Sequence, residues 1–141
     1  MTDVERATVQ IHRLENERVA RMYGLELKML HPWPGLVTPF QGAWCVLRPG
    51  DVSMAHAHHD HEIFIVMAGR GRVVGDGQEH EISGGDIAFM RPGTTHHVLN
   101  HGDEDFSYYA IWWDRAMAGE FIARDRTPDS DEDAVQAEER V

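Results

Sequence analysis

Between residues 25 and 113, glycines and prolines cut the chain into short segments in which apolar and polar residues alternate. A period of two puts successive side chains on opposite faces, so the pattern demands strands rather than helices. "LELKML" (25–30) sets Leu25, Leu27 and Met29 against Glu26 and Lys28. After a loop with three prolines, "HPWPGLVTP", further strands are predicted at 43–48, 62–67, 72–75, 80–82, 86–90, 96–100 and 106–113. Their separators are turn-formers, among them Pro49-Gly50, Gly84-Gly85 and Pro92-Gly93. Asp76-Gly77 suits a tight hairpin whose central residues both take positive φ. Many short strands at regular spacing predict an all-β sandwich or barrel.

Helices are peripheral in this reading. Residues 15–23 are expected to form a short one. "DRAMAGEFIAR" (114–124) is expected to form another, with Asp114 as N-cap and Met117 and Phe121 at i, i+4. At 141 residues the chain fits one domain. It divides into N-terminal strands with a short helix (1–39), a barrel (40–113), a C-terminal helix (114–124) and an acidic disordered tail or linker (125–141). That last stretch carries seven acids and two arginines.

The net charge of −11 leaves no basic stripe for nucleic acid. No apolar run is long enough to span a bilayer, and the N-terminus lacks the layout of a signal peptide, so a cytoplasmic location is expected. The single cysteine, Cys45, lies between apolar neighbours and reads as a buried, inert thiol.

"HAHHDHE" (56–62) concentrates four histidines, an aspartate and a glutamate. On a strand, His56 and His58 share a face at a separation of roughly 6–7 Å. Glu62 follows after a bend, and His96 completes the set from "RPGTTHHVLN". Three imidazoles and a carboxylate suit one divalent ion per chain, Zn first, with Fe(II), Mn, Ni or Co also accommodated. His59 and His61 fall on the bend, either as a solvated turn or as groups that orient a ligand or carry protons. His97 should point out of the barrel, and His101 should lie in a loop. In "FSYYAIWW", Phe106, Tyr108, Ala110 and Trp112 share one face, while Tyr109, Ile111 and Trp113 share the other. One set should fill the barrel and the other should meet a second sheet or a partner chain, which favours a homodimer. Tyr108 is the tyrosine taken as a substrate contact. Arg48, Arg70, Arg72 and Arg91 are the nearby cations able to hold a carboxylate.

Gly50, His56, His58, Glu62 and Gly69 together reproduce the spacing of the first cupin motif. Gly85, Gly93, His96 and Asn100 match the second, with Arg91 where that motif has proline and a proline at 92 instead. The sequence thus resembles the cupin superfamily over roughly residues 40–113. The resemblance implies a double-stranded β-helix (jelly-roll) barrel with a metal held inside by His56, His58, Glu62 and His96.

"HPWPG", "HAHHDHEIFIVMAGRGRV" and "WWD" together resemble the cupin module of hydrazine synthetases. In those enzymes a cupin is joined to a methionyl-tRNA-synthetase-like ligase, and the pair makes N–N bonds in natural-product pathways. The resemblance implies a small-molecule substrate: the aminoacyl ester of an N-hydroxylated amine, rearranged to a hydrazine. It also implies a ligase of that type as partner, in the same chain or a separate one. Two other classes fit the same ligands: an Fe(II) dioxygenase or isomerase acting on a small polar substrate, and a non-catalytic cupin that binds a small ligand.

Overall fold

Two antiparallel sheets pack on one shared core in the computed structural model, which describes residues 8–16 and 19–125. The strands are β1 (Ala20–Met22), β2 (Leu25–Met29), β3 (Gln41–Leu47), β4 (His61–Ala68), β5 (Arg70–Gly75), β6 (Gln78–Ser83), β7 (Ile87–Met90), β8 (His96–Leu99) and β9 (Phe106–Trp113). One sheet has the order β1-β2-β3-β9-β4-β7 and the other β6-β5-β8. This is the jelly-roll barrel expected from the sequence. No helix among the described residues is long and apolar enough to cross a membrane.

Alternation decides what faces inward. Phe106, Tyr108 and Ala110 on β9 lie opposite Leu47, Cys45 and Ala43 on β3, and all six are buried. Val73, Ile82 and Val98 close the core from the smaller sheet. Burying such side chains contributes roughly 1.5–3 kcal/mol for each large one, which outweighs the modest intrinsic preference of any strand. Turn chemistry sets the register. Asp76 and Gly77 have φ of 48° and 82°, the expected hairpin turn between β5 and β6.

The expected helix over 15–23 is corrected. Leu14–Asn16 forms a single 3-10 turn, residues 17–18 lie outside the described residues, and Ala20–Met22 is a strand. Its ladder to β2 pairs Ala20 with Leu27 and Met22 with Leu25. Tyr23 and Gly24 turn the hairpin, with φ of 57° and 84°. A tyrosine at positive φ is uncommon, which is why the turn was not legible. Tertiary anchors offset that strain: Met54 N–H donates to Tyr23 O at 2.7 Å, and Arg21 grips Asp51 with two hydrogen bonds of 2.7 and 3.1 Å.

The C-terminal helix α1 (Arg115–Asp125) forms as expected, one residue longer at its end. Asp114 caps it, its Oδ1 accepting from Ala116 N–H at 2.6 Å. The expected acidic tail lies outside the described residues beyond Asp125. Trp33 of "HPWPG" stacks on His12 at 3.7 Å and donates from Nε1 to Gln10 Oε1, so this loop fastens the N-terminal segment.

Candidate metal centre

His56 and His96 face each other across a short antiparallel bridge. Each backbone N–H donates to the other's carbonyl, at 3.1 and 2.9 Å. The segment carrying His56 and His58 is therefore a bridged, irregular stretch rather than the regular strand expected. His58 is tied differently, its carbonyl accepting from Gly93 N–H at 2.8 Å. Gly93 has φ of 83° and follows Pro92 in a turn closed by Thr94 N–H to Arg91 O. Proline then glycine at the two central positions is the signature of a type II turn, so Arg91 in place of proline leaves the turn intact. Asn100, also from the second motif, is buried and structural. Its Nδ2 donates to Leu47 O and Glu104 O, and its Oδ1 accepts from Gly102 N–H.

The donor atoms of His56, His58, Glu62 and His96 all lie within 4.8 Å of one another. Glu62 Oε1 is 2.8 Å from His96 Nε2 and 3.3 Å from His58 Nε2. Ring centroids are 4.6–5.5 Å apart. Glu62 and His96 are buried, with 6% and 2% of their surface exposed.

The chemistry of this set fits a cation. His56 Nδ1 lies 3.1 Å from Met54 O and His96 Nδ1 2.9 Å from Thr94 O. Donation to those carbonyls puts the N–H on the outer nitrogens and leaves the Nε2 lone pairs facing inward. His58 buries an Nδ1 with no hydrogen-bond partner. Inward lone pairs beside a buried carboxylate repel unless protons or a metal ion lie among them. With protons alone, burial disfavours the His96 imidazolium, but its hydrogen bonds to the Glu62 carboxylate and the Thr94 carbonyl outweigh it and raise the pKa. A divalent ion resolves the same conflict with all four donors at once.

The four donors stand at one side of a cavity of about 540 Å³. Its remaining walls are mostly apolar: Leu25, Leu27, Ala43, Phe64, Ala110 and Trp112, with Met22, Met29 and Met54 also among the lining residues. Tyr108 lines it too. Its ring lies 4.3 Å from Phe64, which meets His96 edge-on at 6.0 Å. Burial raises the Tyr108 pKa, and the neighbouring Cys45 thiol adds to this. Burial likewise pushes Cys45 up to about 12, against a smaller opposing effect of Tyr108, so the thiol is inert as expected.

His59 and His61 are not brought into the cavity. His59 is exposed at the rim, 3.5 Å from Asp60 and 3.9 Å from Asp114. His61 lies on the outer face of β4, stacked at 5.5 Å on Trp113 and 6.0 Å from Phe89. The residue that does face the cavity is Asp60. It shares parity with His58 and Glu62, and that was the signal available in the sequence. His97 is half-buried on the face of β8 opposite His96, and His101 lies in a loop 3.5 Å from Glu81. None of the four arginines reaches the cavity. Arg48 pairs with Glu26 and Asp105, and Arg72 with Glu79 and Glu81. Arg91 and Arg70 border two other cavities.

A two-sheet barrel that gathers three histidines and a glutamate from two separated motifs defines a class of small β-barrel proteins. Comparison with known proteins names it. The cupin domain family matches residues 43–112. A cupin 2 conserved barrel domain protein from Salinispora arenicola is 40% identical, covering 84% of this chain and 99% of that one, with a TM-score of 0.73. A protein from Photorhabdus luminescens is 33% identical, covering 86% and 99%, with a TM-score of 0.72. The chain belongs to the cupin superfamily. An oxalate-binding protein from Thermotoga maritima is 30% identical over 66 residues, which are 46% of this chain and 54% of that protein. The chain thus spans about half the length of that curated relative.

Proposed function

We propose that this cupin is a metal-dependent enzyme acting on a small, largely apolar molecule that is neutral or carries an amine. The observation that carries this reading is the make-up of the cavity: the donors of His56, His58, Glu62 and His96 converge, Asp60 also lines it, and the other walls are mostly apolar. Among the described residues, no lysine or arginine lines it. A phosphate or a dicarboxylate would find no lysine or arginine there, and only the ion held by the four donors would meet its charge. An amine would find a carboxylate.

Within that class, the best specific reading is N–N bond formation of the hydrazine synthetase type. It rests on the likeness of "HPWPG", the paired histidines and "WWD" to the cupin modules of those enzymes. The substrate would be the aminoacyl ester of an N-hydroxylated amine, delivered by a methionyl-tRNA-synthetase-like ligase. The amine nitrogen attacks the hydroxylamine nitrogen, the N–O bond breaks, and the ester oxygen leaves as carboxylate while the amine loses a proton. A divalent ion held by His56, His58, Glu62 and His96 would supply Lewis-acid polarisation without a redox change, for which Zn suffices. Asp60 holds the amine by charge, Tyr108 and Trp112 shape the space, and the apolar walls keep water from the labile ester.

Zn-loaded protein given such an ester should yield the hydrazine by mass spectrometry with a silent oxygen electrode. An Fe(II) dioxygenase has the same donors available and predicts the opposite. Stoichiometric O2 uptake on a thiol or catechol, absent with Zn, would replace the N–N reading. Saturable binding with no turnover of any ester would leave a non-catalytic binding cupin.

A further inference from the structure

Two hairpins of this fold turn through nearly the same backbone angles with different residues. Asp76 and Gly77 have φ of 48° and 82°, and Tyr23 and Gly24 have 57° and 84°. Asn-Gly and Asp-Gly are favoured in such turns because both central residues take positive φ. Asp76 also anchors its turn. Its N–H donates to Thr95 O at 2.8 Å, and its Oδ1 accepts from Thr95 N–H at 3.0 Å. The Tyr23 side chain does nothing of that kind. The residue is 58% exposed, and among the described residues its side chain makes no hydrogen bond and no ring contact. A bulky residue held at positive φ without a folding role is the type of strain that clusters where side chains meet ligands.

Tyr23 lines the metal cavity. Exposure separates the mouth of that cavity from its floor: Met22, Tyr23, Met29 and Met54 are exposed, whereas Phe64 and Tyr108 are buried. One residue ties the hairpin tip to the metal centre. Met54 N–H donates to Tyr23 O at 2.7 Å, and Met54 O accepts from His56 Nδ1 at 3.1 Å. Gly24 sits hard against the segment that leads to His56, since a Cβ there would lie 2.2 Å from Val52 O. With Arg21 paired to Asp51, these contacts fix where Tyr23 stands relative to the donors.

We propose that Tyr23, flanked by Met22 and Met54, is a specificity-determining residue that seats an apolar tail of the substrate. The head of the same molecule meets the donors of His56, His58, Glu62 and His96 on the inner side. Thioethers and an aromatic ring give a mouth that packs against hydrocarbon of varied shape. This role rests on the cavity being the substrate site, and it holds for any reaction at the ion. The turn thus keeps a residue that local folding disfavours because the ring is needed at the mouth.

Straight-chain alkyl hydroxamates carry a metal-binding head and a tail of chosen length. Calorimetry on the Zn-loaded full chain should show affinity rising about threefold for each methylene added between acetohydroxamate and octanohydroxamate. Tyr23→Asn puts the favoured Asn-Gly pair in the turn, so its urea midpoint should equal or exceed that of the wild type. Metal content and acetohydroxamate affinity should hold in that variant, while octanohydroxamate affinity falls at least about tenfold. Tyr23→Phe should bind octanohydroxamate as the wild type does, because the contact is with the ring and not the hydroxyl. A wild-type affinity indifferent to chain length would overturn the proposal. So would a Tyr23→Asn variant that keeps the octanohydroxamate affinity, or one that unfolds at clearly lower urea. Octylamine, which needs no ion, gives a separate reading on metal-free protein. If acetohydroxamate does not bind, the metal centre falls. Octylamine affinity lost in Tyr23→Asn would then still uphold the mouth, and affinity unchanged would overturn it.

Discussion

His56 and His96 clasp each other's backbones yet occupy opposite surroundings. His96 begins a strand paired with β5, is 2% exposed, and is closely bonded to Glu62. His56 sits in an irregular stretch, exposed toward the cavity mouth, with its ring tied to Met54 O. The histidine that stands apart from the crowded "HAHHDHE" run is thus the more deeply held of the two. Density of ligand-type residues marks where a site begins, but burial and ladder hydrogen bonds decide which of them are rigid.

Replacing the deeper of the pair sets the largest effect. His96→Ala should remove nearly all metal from protein purified without added metal, as read by elemental analysis. The loss in affinity should exceed the ~10–100-fold typical of outer hydrogen-bond partners. Full stoichiometry in this variant would dismantle the assignment. His56→Ala removes a donor from a looser segment and should leave a weaker but measurable affinity. If it strips the metal as completely as His96→Ala, the contrast between the two regions is wrong. Asn100→Ala probes the frame that holds His96. It strips three hydrogen bonds from a buried side chain and should cost about 2–3 kcal/mol in urea denaturation, with one metal still bound per folded chain. A loss near zero would mean that the second motif is not held by this residue. His59→Ala should change metal content least of all, because its ring lies outside the cavity. Metal loss in His59→Ala would place it among the ligands after all.

What the sequence disclosed follows the same division. Strands β2 to β9 were legible because alternation and turn residues agree, and the cupin spacing brought His96 to His56 across a long separation. Three things were not. The β1 hairpin was hidden because its residues suit a helix and its turn uses a tyrosine. Pairing with β2 and the grip of Arg21 on Asp51 override that preference. Asp60 stands between two histidines that draw attention first, yet it is the one of the three that lines the cavity. The "HPWPG" loop read as a signature of chemistry, yet Trp33 and His31 do not line the cavity. They tie down the N-terminal segment and the loop itself, with His31 hydrogen-bonded to Thr38. Residue type announces a histidine or a tryptophan equally well whether it faces a site or a neighbouring segment. Only the packing separates the two.

The reciprocal bridge between His56 and His96 also fixes when the centre can exist. It closes a long loop that contains four complete strands, two from each sheet. Closing such a loop costs entropy that is recovered only once the intervening hairpins are in place. An emerging or unfolded chain therefore offers an ion only the local cluster of residues 56–62. The complete set of donors exists only where that bridge is closed, so capture of the ion reports the folded state and favours it by mass action.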